Sequence, residues 1–266
     1  MKFFLGVITI FILCTSILAN DEIELIYKFT DGDNSVYKEL QKSDISGSDG
    51  QETMDSKSEM EFETVIKVVK LSSDGGATLE YSSKPLKMTA DGESLLNDEE
   101  DNKPIKIMVQ MSKHGKVLSA ESSDGEKLFG FLKDKQKPLL PEGKIKIGSK
   151  WDGMIPLDSL NCTIKCTLDE IYSEKGLDIA KISFTFEDKK DLKDTLADSG
   201  EDMSFFEEMN ITGIKTNSGS GKIYFSINLG KIILIEYQSS GTSSISFDGN
   251  STKTTDVSDY KFWRIK

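Results

Sequence analysis

Alternation of apolar and polar residues, interrupted by Gly- and Asp-rich turns, most narrows what this chain can become. Met60, Phe62, Thr64, Ile66 and Val68 fall on one side of a run ending at Ser72-Ser-Asp-Gly-Gly76. Ala77, Leu79 and Tyr81 resume the same period beyond it. Side chains repeating every second residue line one face of a strand, and two such runs across a Gly-rich turn form a hairpin. Ile23, Leu25, Tyr27 and Phe29 open the pattern, and Tyr260-Lys-Phe262-Trp-Arg264-Ile265 closes it. The expected fold is all-β: an antiparallel, curved sheet or half-barrel with a few short helices. Leu192 and Leu196 stand one helical turn apart within Asp191 to Ala197, and Met203 to Met209 and Glu126 to Lys135 are two further short candidates.

A faint internal repeat organises the strands. Ile107 to Glu121 is similar to Lys222 to Glu236, with Gly115 and Gly230 at a fixed offset, 230 − 115 = 115. Phe29-Thr-Asp-Gly32 and Tyr37 echo Ile145-Lys-Ile-Gly148 and Trp151, and the turn at Asp74-Gly75 has a counterpart at Ser173 to Gly176. Each copy has a polar insertion of its own, Ser46 to Ser58 and Lys189 to Glu208. The division is into two related halves, 20–143 and 144–266, joined through Lys137-Pro-Leu-Leu-Pro141-Glu-Gly, a proline-stiffened connection. Asn97 to Asn102 reads as a solvated acidic loop.

Residues 1–19 precede all of this and have another character. Lys2 is followed by an uncharged apolar run from Phe3 to Leu13, then Ser16-Ile-Leu-Ala19 and an abrupt polar start at Asn20-Asp-Glu22. That is the layout of a secretory signal peptide, too short and wrongly flanked for a membrane span. The expected location is secreted or periplasmic. Cys14 follows Leu13, where lipoprotein processing requires a small side chain, so no lipid anchor is expected there. No later apolar stretch approaches the roughly 20 residues of a spanning helix.

The 45 acidic and 33 basic side chains give a net charge of −12, with Arg264 the only arginine. Such a chain repels phosphate backbones and carries no basic block, which disfavours nucleic acid. Cys162 and Cys166 lie in an alternating run with Ile164 and Leu168. Four residues apart on a strand is about 13 Å, against the roughly 7 Å a disulfide spans. Both thiols are therefore expected in the core as small hydrophobes. Asn161, Asn210 and Asn250 each begin an N-glycosylation sequon, whose use depends on the source.

His114 is the only histidine, in Lys113-His-Gly115, where a surface turn is expected. A single histidine removes most arrangements that pair an imidazole base with a nucleophile. Asp31-Gly-Asp33-Asn-Ser35 begins like a calcium loop, but Val36 and Lys42 occupy the positions that need Gly and Glu, so it reads as a turn. There is no phosphate loop, dinucleotide fingerprint or esterase elbow. The 45 acids offer too many candidates for a glycosidase-like carboxylate pair to be selected. No catalytic, cofactor-binding or metal-binding residue is assigned, and the expectation is a protein that is not an enzyme.

Leu140-Pro-Glu-Gly-Lys-Ile-Lys-Ile-Gly148-Ser-Lys-Trp151 resembles a family of exported bacterial proteins of unknown function. Tyr27 to Asp33 with Tyr37 matches its opening segment, and Gly221 to Ile235 its late pair of strands. The architecture also looks like the curved half-barrels that shuttle lipoproteins or lipids across bacterial envelopes. That likeness implies an apolar ligand or a lipidated partner on a concave face; most of Tyr224, Phe225, Tyr237, Phe247, Tyr260, Phe262 and Trp263 are expected in the core, whose concave apolar side in a strongly curved sheet would hold an acyl chain or other greasy ligand. The alternative expectation is a structural or surface-interaction protein whose core is filled, acting on a protein partner through its acidic loops.

Overall fold

Strand after strand returns on its neighbour. The computed structural model describes residues 22–48, 52–96, 103–122, 137–156, 162–191, 212–247 and 250–266. The first half supplies β1 (Ile23–Glu24), β2 (Asn34–Ser48), β3 (Thr53–Leu71), β4 (Ala77–Ala90), β5 (Glu93–Ser94), β6 (Ile105–Met111) and β7 (Val117–Ser122). The second supplies β8 (Lys144–Ile145), β9 (Lys150–Gly153), β10 (Ile164–Glu174), β11 (Leu177–Asp191), β12 (Thr212–Ser226), β13 (Lys231–Phe247) and β14 (Asn250–Arg264).

Twelve of these form one antiparallel sheet in the order β7-β6-β4-β3-β2-β14-β13-β12-β11-β10-β9, with β5 on β4. The sheet is curved and open, not a closed barrel. The first and last long strands meet at its middle, where β14 pairs with β2 from Lys253↔Ser48 to Arg264↔Tyr37. The described residues contain no helix. The three helix candidates lie outside them, except that Asp191 ends β11. The leader, Cys14, the acidic loop and the sequons at Asn161 and Asn210 also fall outside; Asn250 begins β14.

Directly paired residues share a face, so the register defines an inner and an outer surface. The row Phe262–Ile235–Ile223–Ile182–Leu168 runs across five inner-facing strands. Beside it runs Tyr260–Tyr237–Gly221–Phe184–Cys166–Trp151. Gly219 and Gly221 are extended residues under aromatic rings. A methyl added at Gly221 would lie 2.7 Å from Phe184 Cζ, and one at Gly219 2.6 Å from Phe186 Cζ. The outer face pairs charges across strands, as in Lys38–Glu61 at 2.8 Å and Lys87–Glu59 at 3.0 Å.

An open sheet needs a cover, and two segments supply it. Leu25 and Tyr27 enter the core from 22–30, and Leu139 and Leu140 from the inter-half connection. That connection was expected to be a linker; Leu139 and Leu140 instead are among the fully buried residues. Tyr27 N donates to Lys113 O at 2.7 Å and Lys28 N to Gly230 O at 3.1 Å, so the N-terminal segment touches the β6–β7 and β12–β13 turns in succession. Leu140 N adds a bond to His114 O at 2.9 Å, and β1 pairs with β8.

Bulges mark both halves. Leu118 is the extra residue between the β6–β7 pairs Gln110↔Ser119 and Met111↔Val117, and Ile233 is its counterpart in β12–β13. Their separation, 233 − 118 = 115, is that of Gly115 and Gly230. Val69 in β3 and Asp169 in β10 are likewise extra residues. Such insertions increase local twist and bend the strand. In the stretch expected as an insertion, Ser46 to Ser48 pair with Thr53 to Asp55 and Ser56 to Ser58 with Ser43 to Ile45, so its described residues extend the β2–β3 hairpin, because a ladder needs only backbone.

Gly230 has φ +62 and a Cβ there would stand 2.3 Å from Lys28 N; Gly32 has φ +70 and nothing within 4 Å. Gly32→Ala should therefore cost about 1–2 kcal/mol from conformation alone. Gly230→Ala adds displacement of the covering segment and should cost clearly more, as read by paired urea unfolding curves.

Candidate functional site

An apolar cavity of about 190 Å³ opens on the inner face. Tyr27 closes one side, β3, β4 and β6 contribute Ile66, Tyr81 and Ile107, and β13 and β14 contribute Ile235 and Phe262. Both halves therefore build it. Glu39, Thr64 and Ser83 bring polar atoms to the same wall, with Thr64 Oγ1 donating to Ser83 Oγ at 3.1 Å. A pocket of about 50 Å³ alongside shares Tyr27, Tyr37, Ile66, Tyr81 and Met111.

Ring packing holds the walls. Tyr37 stacks on Phe262 at 4.6 Å and 10°, and Tyr237 on Tyr260 at 4.6 Å and 20°. Tyr27 meets Phe225 edge-on at 5.6 Å. Offset and edge contacts of this kind place ring quadrupoles favourably. At the end of the smaller pocket Lys231 Nζ pairs with Asp33 and donates to Ser35 Oγ at 2.8 Å, fastening the start of β13 to the turn before β2.

Desolvation sets the electrostatics. It pushes the Tyr37 phenol up to about 12, against the opposing pull of Arg264 and a hydrogen bond with Ser35. Burial likewise raises Tyr27 well above its ordinary value, and raises Tyr81. All three stay neutral hydroxyls at physiological pH. The Cys166 thiol is raised to about 12 by burial and by Asp152. Cys162 and Cys166 are both buried thiols, although β10 starts only at Ile164, two residues later than the alternation suggests.

His114 lies in the expected turn, with a buried Nδ1 that has no hydrogen-bond partner, and so does Arg264 Nε on β14. Asp31-Gly32 forms the expected turn, and Asp33 beyond it is engaged by Lys231. Among the described residues no three His, Cys, Asp or Glu side chains are grouped to hold a metal. Of the aromatics singled out in the second half, Phe225, Tyr237, Tyr260 and Phe262 face inward and Tyr224 and Trp263 outward. The first-half tyrosines Tyr27, Tyr37 and Tyr81 were missed as lining, although Tyr81 stood in plain alternation with Leu79. Alternation identifies a face but not which part of it stays uncovered.

No protein-family model matches the chain, and no curated protein matches it.

Absorbance titration tests the buried phenols. Tyr37 should ionise near pH 12, about two pH units late. Between pH 10 and 12 the unfolded chain has lost this proton while the folded one keeps it, so this contribution to stability is complete below pH 10 and lost as pH rises through 12. Cys162 and Cys166 should resist iodoacetamide at pH 8 in the folded protein and react fully in urea.

Proposed function

We propose that this chain is a non-enzymatic protein of an extracytoplasmic compartment that holds an apolar group on the inner face of its sheet. The observation that carries this reading is the inner cavity, walled by aromatic and branched side chains from both halves. Ligand sites are concave and mostly apolar with a few fixed polar groups, and Thr64, Ser83 and the phenols are such groups. The volume sets the scale. Drug-sized ligands occupy roughly 300–1,000 Å³, whereas an engineered cavity of about 150 Å³ holds benzene. At about 190 Å³ the site suits one acyl segment or ring of a larger molecule, including a lipidated partner. The leader-like residues 1–19 support secretion or a periplasmic location.

The same reading takes the halves as copies of one ancestral meander. Two features support it: the shared offset of 115 between turn glycines and between bulges, and the contribution of both halves to one cavity. The competing reading is an interaction protein with a filled core, favoured by the modest size of the cavity.

Ile107→Phe places extra carbon in the cavity without changing polarity. The unaltered protein should bind a naphthalene-based apolar dye at micromolar concentration, with medium-chain fatty acids displacing it, and the variant should bind at least tenfold more weakly. Native mass spectrometry of protein taken gently from its own compartment should show a bound mass lost on denaturation. Absence of dye binding together with a clean apo mass would sink the carrier reading.

A further inference from the structure

A larger concavity is on the opposite surface. An open trough of about 680 Å³ crosses the outer face from β2 to β11, and a second of about 380 Å³ continues it to β9 through Ser183 and Thr185. It runs between two rows of paired residues. One row includes Lys261, Glu236, Lys222, Ser183 and Lys150; the other includes Lys42, Gln238, Ser220, Thr185 and Lys165. Seven strands at about 4.8 Å per spacing make it about 29 Å long. Its shape is that of a slot for an extended chain.

Its charge opposes that of the protein. Lys42, Lys150, Lys165, Lys222 and Lys261 face Asp152, Glu236 and Asp259, 5 − 3 = +2, on a chain of net −12. Two of the three acids are already engaged: Asp259 accepts from Gln238 at 2.8 Å and Asp152 from Lys137 at 3.0 Å. None of the five lysines has a carboxylate within 4 Å among the described residues. Elsewhere on the outer face some lysines are paired, as Lys38, Lys87 and Lys181 are, and others, such as Lys67 and Lys84, are not paired among the described residues.

We propose that this trough binds a linear acidic polysaccharide. The five lysines meet carboxylates or sulfates along the chain, and Thr185, Ser220 and Gln238 offer short donors and acceptors to sugar hydroxyls. Along one side runs the outward row Trp263–Leu234–Tyr224, half-buried, giving flat rings for sugar faces to rest on. A protein partner fits less well, because interface cores favour aromatic residues, methionine and arginine and are depleted of lysine and serine.

The test uses full-length mature protein and four probes: polygalacturonate, a heparin fragment, neutral dextran and poly-glutamate. Affinity electrophoresis at low salt should show retardation by at least one acidic glycan and none by dextran. Retardation should fade toward 1 M salt, where the screening length shrinks from about 10 Å to about 3 Å. The variant Lys150→Glu, Lys165→Glu, Lys222→Glu should bind at least tenfold more weakly with an unchanged melting curve. Its control, Lys67→Glu, Lys84→Glu, Lys106→Glu on the outer face of the first half, should bind as the unaltered protein does. Indifference to both acidic glycans, equal binding by the trough variant, or equal retardation by poly-glutamate would each overturn the proposal, the last in favour of an acidic protein segment.

Discussion

A sheet that does not close leaves one surface with nothing opposite, and that lack shapes the rest of the molecule. Leu25, Leu139 and Leu140, none more than 1% exposed, come from segments almost without regular structure. Burying a leucine side chain is worth roughly 1.5–3 kcal/mol, so these three contribute on the scale of a whole domain's net stability. They are held by main-chain bonds to the turns of both halves at Lys113, His114 and Gly230. Left-handed glycines at 115 and 230 leave room for that close approach. Core, turns and cover are thus one device, and neither half is capped by its own residues alone.

The regular part of this was legible in the chain. Met60 to Val68 and Ala77 to Tyr81 paired as their alternation required, because an inner face that is half apolar writes a period of two directly into sequence. The cover was harder to read. Lys137 to Gly143 has two prolines and no periodicity, so its leucines look like linker until the sheet beneath them is known. Hairpin length was missed for the opposite reason: Ser46 to Ser58 lacks apolar residues at strand spacing, yet ladder bonds need only backbone. Cys166 is buried for the reason its alternation with Ile164 and Leu168 gives, whereas Cys162 is buried just ahead of β10, outside the strand.

The inner cavity and the outer trough were legible only in part, for a common reason. Each is built across strands, from residues far apart in sequence. Phe262 and Ile66 meet in one wall while standing nearly 200 positions apart, and Lys150 and Lys42 lie at opposite ends of one slot. Periodicity reports the direction of a side chain. It carries no information about which neighbour the register supplies, nor about where bulges such as those at Leu118 and Ile233 bend the surface.

Open sheets also invite uncontrolled growth, because an unpaired border can template further strands. Here the borders are poor templates. β9 has four residues and β7 six, beside central strands of fifteen to nineteen. Where β11 runs on past the end of β10, every residue from Glu187 to Asp191 is charged. On the other side β4 continues past its last β6 partner, Ser83, with Lys84, Pro85, a bulge at Leu86 and Lys87. A missing amide proton, a kink and two positive charges follow one another there. The consequence is that, among the described strands, features opposing cross-β stacking stand at the positions where the pairing stops.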